Sequence, residues 1–279
     1  MKIPFKLILL LLFVAFLDQS KAASVDTASV FSASMDKYIK AVVIKPDQYN
    51  PDKKFPVLYL LHGFSGSYKD WVQKDIAIGA LADKFGMIIV CPDGDFASWY
   101  FDSVVKKGSM YETYISRELV NWIDKHYSTI ADRKGRAITG LSMGGHGALF
   151  IAFRHLNIFG AAGSMSGGVD LRPFSDSFGL DQVLGKYSEH PERWEQSSVI
   201  NMLYLLQPNS LSITFDCGYD DFFFRYNNAL HEKMLEMKIP HDYTVRPGGH
   251  TWEYWTNSLK YQALFFSNFF NSSYKKTGG

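Results

Sequence analysis

The chain has 279 residues, 47% of them apolar and 16% aromatic, and a formal charge of +1. Such a content supplies a sizeable buried core and excludes global disorder. The near-neutral charge leaves neither a basic footprint for nucleic acid nor an acidic tail, so no nucleic-acid partner is expected.

In chain order, the first residues read as an export signal. Lys2 and Lys6 give a positive start, Leu7 to Leu17 is an apolar run, and Ser20-Lys21-Ala22 is a small-x-small cleavage site. The run is about eleven residues, whereas a spanning helix needs roughly 20. Residues 1–22 are therefore expected to be a cleaved signal peptide, leaving no stable membrane anchor and a secreted or periplasmic protein. Their removal takes three lysines and one aspartate and moves the formal charge from +1 to −1.

The remainder, 23–279, has no linker or repeat, and strand-like and helix-like segments alternate. Tyr38–Ile44, Phe55–Leu61, Met87–Cys91, Ala137–Leu141, Leu211–Phe215 and Asp242–Val245 are apolar runs read as strands. Tyr114–His126 sets Ile115, Leu119, Trp122 and Ile123 on one helical stripe, and Gly144–His155, Phe222–Met237 and Trp252–Phe270 are further helices. The alternation predicts one α/β domain, a mostly parallel central sheet with helices on both faces. The stretch 167–208 breaks the rhythm with Gly, Pro, Asp and Ser clusters and is expected to be a small insertion over the active site.

Cys91 and Cys217 close two of the strand-like runs. Both runs read as parallel strands on opposite sides of the sheet centre, several spacings of ~4.8 Å apart, whereas a disulfide needs Cα atoms within ~7 Å. Two buried free thiols are expected.

Gly140-Leu141-Ser142-Met143-Gly144-Gly145 follows a strand and opens a helix, the context of a nucleophile elbow. A sharp strained turn there lifts the Ser142 hydroxyl above the sheet, with helix N–H groups next to it. A serine needs a base. His250, between the last strand and the last helix, is placed for it; His126, His155, His190 and His231 fall in helical or surface contexts, and the His146 ring should point away from Ser142. The imidazole needs an acid, for which Asp216, Asp220 and Asp221 compete after the Leu211–Phe215 strand. A glycine turn with the acid three residues later favours Asp221. Leu61-His62-Gly63-Phe64-Ser65-Gly66 follows an earlier strand, so the Phe64 and Met143 amides are the expected oxyanion donors.

These pieces, with Asp70-Trp71, Pro92-Asp93-Gly94, Ser98-Trp99-Tyr100, Asp216-Cys217-Gly218, Asp221-Phe222 and Gly248-Gly249-His250-Thr251-Trp252, resemble the esterase D group of α/β-hydrolases over nearly the whole mature chain. That group takes in S-formylglutathione hydrolases, tributyrin-type, feruloyl and acetyl-xylan esterases, and mycolyltransferases. The resemblance implies an α/β-hydrolase fold, a Ser142–His250–Asp221 triad and an oxyanion hole at Phe64 and Met143. His62-Gly63 stands where the cytosolic formylglutathione enzymes carry Ser-Gly, which turns the reading away from thioesters. His62, Gly63, Trp71, Trp99, Tyr100, Tyr219 and Trp252 are candidates to line the substrate pocket. No metal or organic cofactor is implied. The expected activity is hydrolysis of short-chain acyl, acetyl or cinnamoyl esters, small or polysaccharide-linked. The rivals are an acyltransferase or thioesterase using the same residues, and a non-catalytic carbohydrate-binding protein on the same scaffold.

Overall fold

The computed structural model describes residues 22–275, so the expected signal peptide lies, but for Ala22, outside the described residues. Eight strands form one sheet in the order β1-β2-β4-β3-β5-β6-β7-β8. They are β1 (Ser24–Ser32), β2 (Lys37–Lys45), β3 (Val57–Leu61), β4 (Ile88–Pro92), β5 (Arg136–Gly140), β6 (Ala161–Met165), β7 (Ser212–Gly218) and β8 (Asp242–Arg246). The pairings β1–β2 and β2–β4 are antiparallel, and β4 through β8 pair in parallel.

Side chains alternate across this sheet, and each face has its own core. Val57, Tyr59 and Leu61 of β3 pack on one side, and Leu58 and Leu60 on the other. The first side is covered by a helical rod made of α3 (Tyr111–Thr113), a π-helical turn (Tyr114–Leu119) and α4 (Val120–His126). With it lie α5 (Met143–Arg154), α8 (Phe224–Glu236) and the short α6 (Asp181–Leu184) and α7 (Pro191–Ser197) of the 167–208 stretch. The second side is covered by α1 (Asp70–Lys74), α2 (Ile78–Phe85) and α9 (Trp252–Lys275). Helices on both faces explain why every residue of β3, β4, β5 and β6 is buried. This is the α/β-hydrolase fold. Among the described residues no helix is long and apolar enough to cross a membrane.

Two strands go beyond the sequence reading. β1 is a Ser- and Thr-rich edge strand whose inward residues are Ala28, Val30 and Ser32. β6 is Ala-Ala-Gly-Ser-Met, nearly without β-branched or aromatic residues, yet it is central and fully buried. Small residues are required there: a Cβ on Gly163 would run into Gln262 of α9. Cys91 on β4 and Cys217 on β7 stand four strands apart, both buried and free, and burial pushes both thiols up.

α5 packs on β5 and β6 at very short range. A Cβ on Gly144 would sit 2.5 Å from the His62 carbonyl oxygen and 2.7 Å from that of Leu61. His146, on the next turn, is fully buried against the rings of Trp99, Phe101 and Phe150. Its Nε2–H donates to the Ser197 carbonyl at 2.9 Å, tying α5 to the 167–208 stretch. Burial lowers its pKa to about 4.

Gly144→Ala forces backbone apart and should cost about 1–3 kcal/mol, read from denaturant midpoints. Acid should also destabilise the fold. The unfolded chain protonates His146 near its ordinary value of 6.5, whereas the folded chain resists until about 4. Stability present at neutral pH is then lost between those two values, at roughly 1.4 kcal/mol per pH unit for this residue. His146→Gln should shrink the slope of stability against pH over that window.

Candidate active site

The site is assembled where three parallel strands end. β5 stops at Gly140, and Ser142 takes φ 54° and ψ −118° before α5 begins at Met143. Positive φ is rare for a residue with a Cβ and persists only where the surroundings hold it. The Ser142 N–H donates to the Met165 carbonyl at the end of β6 (2.9 Å), and the Leu141 N–H to Leu61 at the end of β3 (3.3 Å). The turn is thus gripped from both sides.

His250 lies between β8 and α9. Its Nε2 is 2.8 Å from Ser142 Oγ and its Nδ1 is 2.9 Å from Asp221 Oδ2. With a proton on Nδ1 facing the carboxylate, the Nε2 lone pair is left to accept from the serine hydroxyl. The rings of Phe222 (4.4 Å), Trp255 (4.8 Å) and Phe223 (5.4 Å) pack around the imidazole, which still borders the cleft. The Asp221 side chain is completely buried, and its Oδ1 accepts the Phe223 N–H at 2.8 Å. The two loops touch backbone to backbone. The Asp220 N–H donates to the Gly248 carbonyl at 3.1 Å, and a Cβ on Gly218 would overlap that same carbonyl.

Of the three competing aspartates, Asp221 is the one that reaches His250. Asp216 faces α9, accepting from Ser258 Oγ (2.5 Å) and Gln262 Nε2 (2.8 Å), and burial raises its pKa above the ordinary carboxylate value. Asp220 is exposed.

In the loop after β3, the Ser65 N–H donates to Phe96 (2.7 Å) and the Gly66 N–H to Gly63 (3.1 Å). Among the described residues the Phe64 and Met143 N–H groups donate to no protein acceptor. A Cβ on Gly63 would come within 3.4 Å of Ser142 Cβ, so this loop approaches the serine closely. A cleft of about 350 Å³ opens over Ser142 and His250, lined by Gly63, Phe64, Phe178, Thr251, Trp252 and Trp255.

Several residues expected on the substrate surface are not there. Gly63 and Trp252 line the cleft, but Trp71, Trp99, Tyr100 and His62 are at most 1% exposed. Each spends its polar group on a backbone partner. Trp71 Nε1–H donates to Leu61 (3.2 Å), Trp99 Nε1–H to Phe178 (3.0 Å), and the Tyr100 hydroxyl to His62 (3.0 Å). His62 accepts the Gly94 N–H at Nε2 (2.7 Å) and donates from Nδ1 to its neighbour Gly63 (2.8 Å). Burial lowers its pKa below the ordinary imidazole value. Tyr219 is 53% exposed and does not line the cleft. Conversely, Phe178 and Trp255 line it and Phe222 flanks the histidine without having been singled out. The i, i+3 spacing of Trp252 and Trp255 carried the signal for one; nothing local marked Phe178. Among the described residues no group of three or more His, Cys, Asp or Glu could hold a metal ion.

Residues 32–266 match the family described as "Putative esterase". An acetyl esterase of Caldicellulosiruptor saccharolyticus is 25% identical over 259 residues, 82% of this chain and 92% of that protein. Esterase Rv1288 of Mycobacterium tuberculosis is 39% identical over 134 residues, 47% of this chain, and the match spans only 29% of that longer relative. Among solved structures, a ferulic acid esterase superposes with a TM-score of 0.77 at 30% identity, covering 89% of this chain and 99% of that one. The serine hydrolase FphF of Staphylococcus aureus shares the fold, with a TM-score of 0.78 at 20% identity over 88% and 99% of the two chains. The chain belongs to this esterase family, in the esterase D-like group of α/β-hydrolases.

Proposed function

We propose that this protein is a secreted serine carboxylesterase that cleaves short-chain acyl, acetyl or cinnamoyl esters, free or linked to polysaccharide. The observation that carries the reading is the unbroken hydrogen-bonded row from Ser142 Oγ through His250 to the buried Asp221 carboxylate, at 2.8 and 2.9 Å.

His250 Nε2 takes the hydroxyl proton as Ser142 Oγ attacks the ester carbonyl carbon. The carbonyl π electrons move to oxygen, and the oxyanion accepts from the Phe64 and Met143 N–H groups, which have no protein acceptor to give up. Collapse breaks the bond to the alcohol, which leaves with the proton from His250. Water then attacks the acyl-serine with the same histidine as base, releasing the acid and restoring Ser142. Asp221 fixes the tautomer and stabilises the imidazolium in both halves.

The substrate class is supported by a cleft of about 350 Å³ with aromatic walls, and by the acetyl and ferulic acid esterases among the similar proteins. Export is supported by the Lys2, Lys6 and Leu7–Leu17 pattern and the Ser20-Lys21-Ala22 site.

Ser142→Ala should lower kcat/KM by on the order of 10⁴ or more and abolish labelling by a fluorophosphonate, with an unchanged circular dichroism spectrum. Sugar binding that survives this variant, with no turnover in the parent protein, would point to the non-catalytic rival. Asp221→Asn should be severe and Asp220→Asn mild; the reverse order would reassign the acid. A panel of p-nitrophenyl acyl esters, methyl ferulate and acetylated xylan resolves the substrate, and an added alcohol acceptor separates hydrolysis from transfer.

A further inference from the structure

Phe178 is the contribution of the 167–208 stretch to the cleft over Ser142. Its backbone is left-handed, φ 56°, and Gly179 follows at φ 65°. A bulky side chain in that region is under strain, and such residues persist where neighbours over-determine them, often at ligand clamps. The neighbour here is identifiable: the Trp99 indole N–H donates to the Phe178 carbonyl at 3.0 Å. Trp99 and Tyr100 are themselves left-handed, at φ 51° and 61°. They are fixed by Ser98, whose hydroxyl donates to the Gly94 carbonyl and accepts the Tyr100 N–H at 3.0 Å. Tyr100 in turn holds the His62 carbonyl at 3.0 Å. One short strained segment therefore fixes both the donor loop and Phe178, and sets the distance between them.

The Phe178 ring packs against Phe64 (centroids 5.7 Å) and nearly parallel to Phe222 (6.1 Å, 13°), which flanks His250. The departing alcohol must take its proton from His250 Nε2, while the acyl carbonyl oxygen is held at the Phe64 and Met143 N–H groups. Phe178 packs on Phe64, the residue whose N–H is to hold the acyl carbonyl oxygen, and the acyl group is the part of the ester offered to its ring.

We propose that Phe178 is the residue that sets the preference among acyl groups, favouring flat aromatic or extended apolar acids over acetate, and that Trp99 is its positioning residue. The assignment rests on the serine-esterase reading above. An acetyl group offers little apolar surface to Phe178, whereas a larger acyl group removes apolar surface from water against it.

The test compares kcat/KM for p-nitrophenyl ferulate and p-nitrophenyl acetate, which share a leaving group, in the wild-type protein and in Phe178→Ala, Phe178→Leu, Phe178→Tyr and Trp99→Phe. The ferulate-to-acetate ratio should fall about tenfold or more in Phe178→Ala, since even one methylene's worth of pocket contact is worth that much. Phe178→Leu should lower it less, and Phe178→Tyr should keep the wild-type preference. Trp99→Phe, with the ring at position 178 intact, should lower the ratio in the same direction; a merely structural loss would lower both esters alike. Ser142-dependent turnover with an unchanged ratio in both Phe178→Ala and Phe178→Leu overturns the assignment and leaves the esterase standing. Turnover that is absent, or identical in Ser142→Ala, overturns the esterase reading and this assignment with it.

Discussion

The hydrogen bond between His250 and Ser142 depends on a steric condition: backbone must approach backbone more closely than side chains allow, at several points along one rim of the sheet. Gly144 lies under the Leu61 and His62 carbonyls, Gly63 comes against Ser142, and Gly218 lies against the Gly248 carbonyl. Glycine satisfies the condition because it has no Cβ to displace. A shift of an ångström at any of these contacts would stretch a 2.8 or 2.9 Å hydrogen bond beyond useful length. The polar row is thus a consequence of packing, and the strain at Ser142 persists because β3 and β6 hold both sides of its turn.

That origin explains what was legible in the sequence. The elbow, the histidine loop and the acid loop each carry a local signature, because glycines at fixed offsets and a strand before a turn are written in contiguous residues. Asp221 could be preferred over Asp216 and Asp220 on the same ground, since the turn is local. β6 could not be read, although its last carbonyl accepts the Ser142 amide. Its Ala-Ala-Gly-Ser sequence answers to α9 packed across it, a contact made with residues about a hundred positions away. β1 was silent for the opposite reason: an edge strand with one wet face needs few apolar residues.

The aromatic residues show where local reading stops. Trp71, Trp99 and Tyr100 sit in the same motifs as functional residues, so sequence proximity suggested substrate contact, whereas their rings are core and their polar atoms hold carbonyls. A buried indole or phenol needs a hydrogen-bond partner, and here the partners are the backbones of the strand end, the loop after β3 and the 167–208 stretch. Buried, they fix backbone around the cleft instead of lining it.

The site therefore divides its work between two kinds of residue. The polar groups proposed to act on the ester are few and are flanked by rings: Phe222, Phe223 and Trp255 about the imidazole, and Phe64 and Phe178 lining the cleft. A low-dielectric surround strengthens the interaction between a developing imidazolium and a carboxylate that has no access to water. The cost is that the Asp221 carboxyl group is fully buried, and the His250 Nδ1–H and the Phe223 amide are the two donors that compensate for its lost hydration. Because Phe223 is both a donor to the acid and a ring against the base, the segment after β7 couples the electrostatics of the site to its apolar surround. The acid cannot be held without also bringing the apolar wall to the histidine.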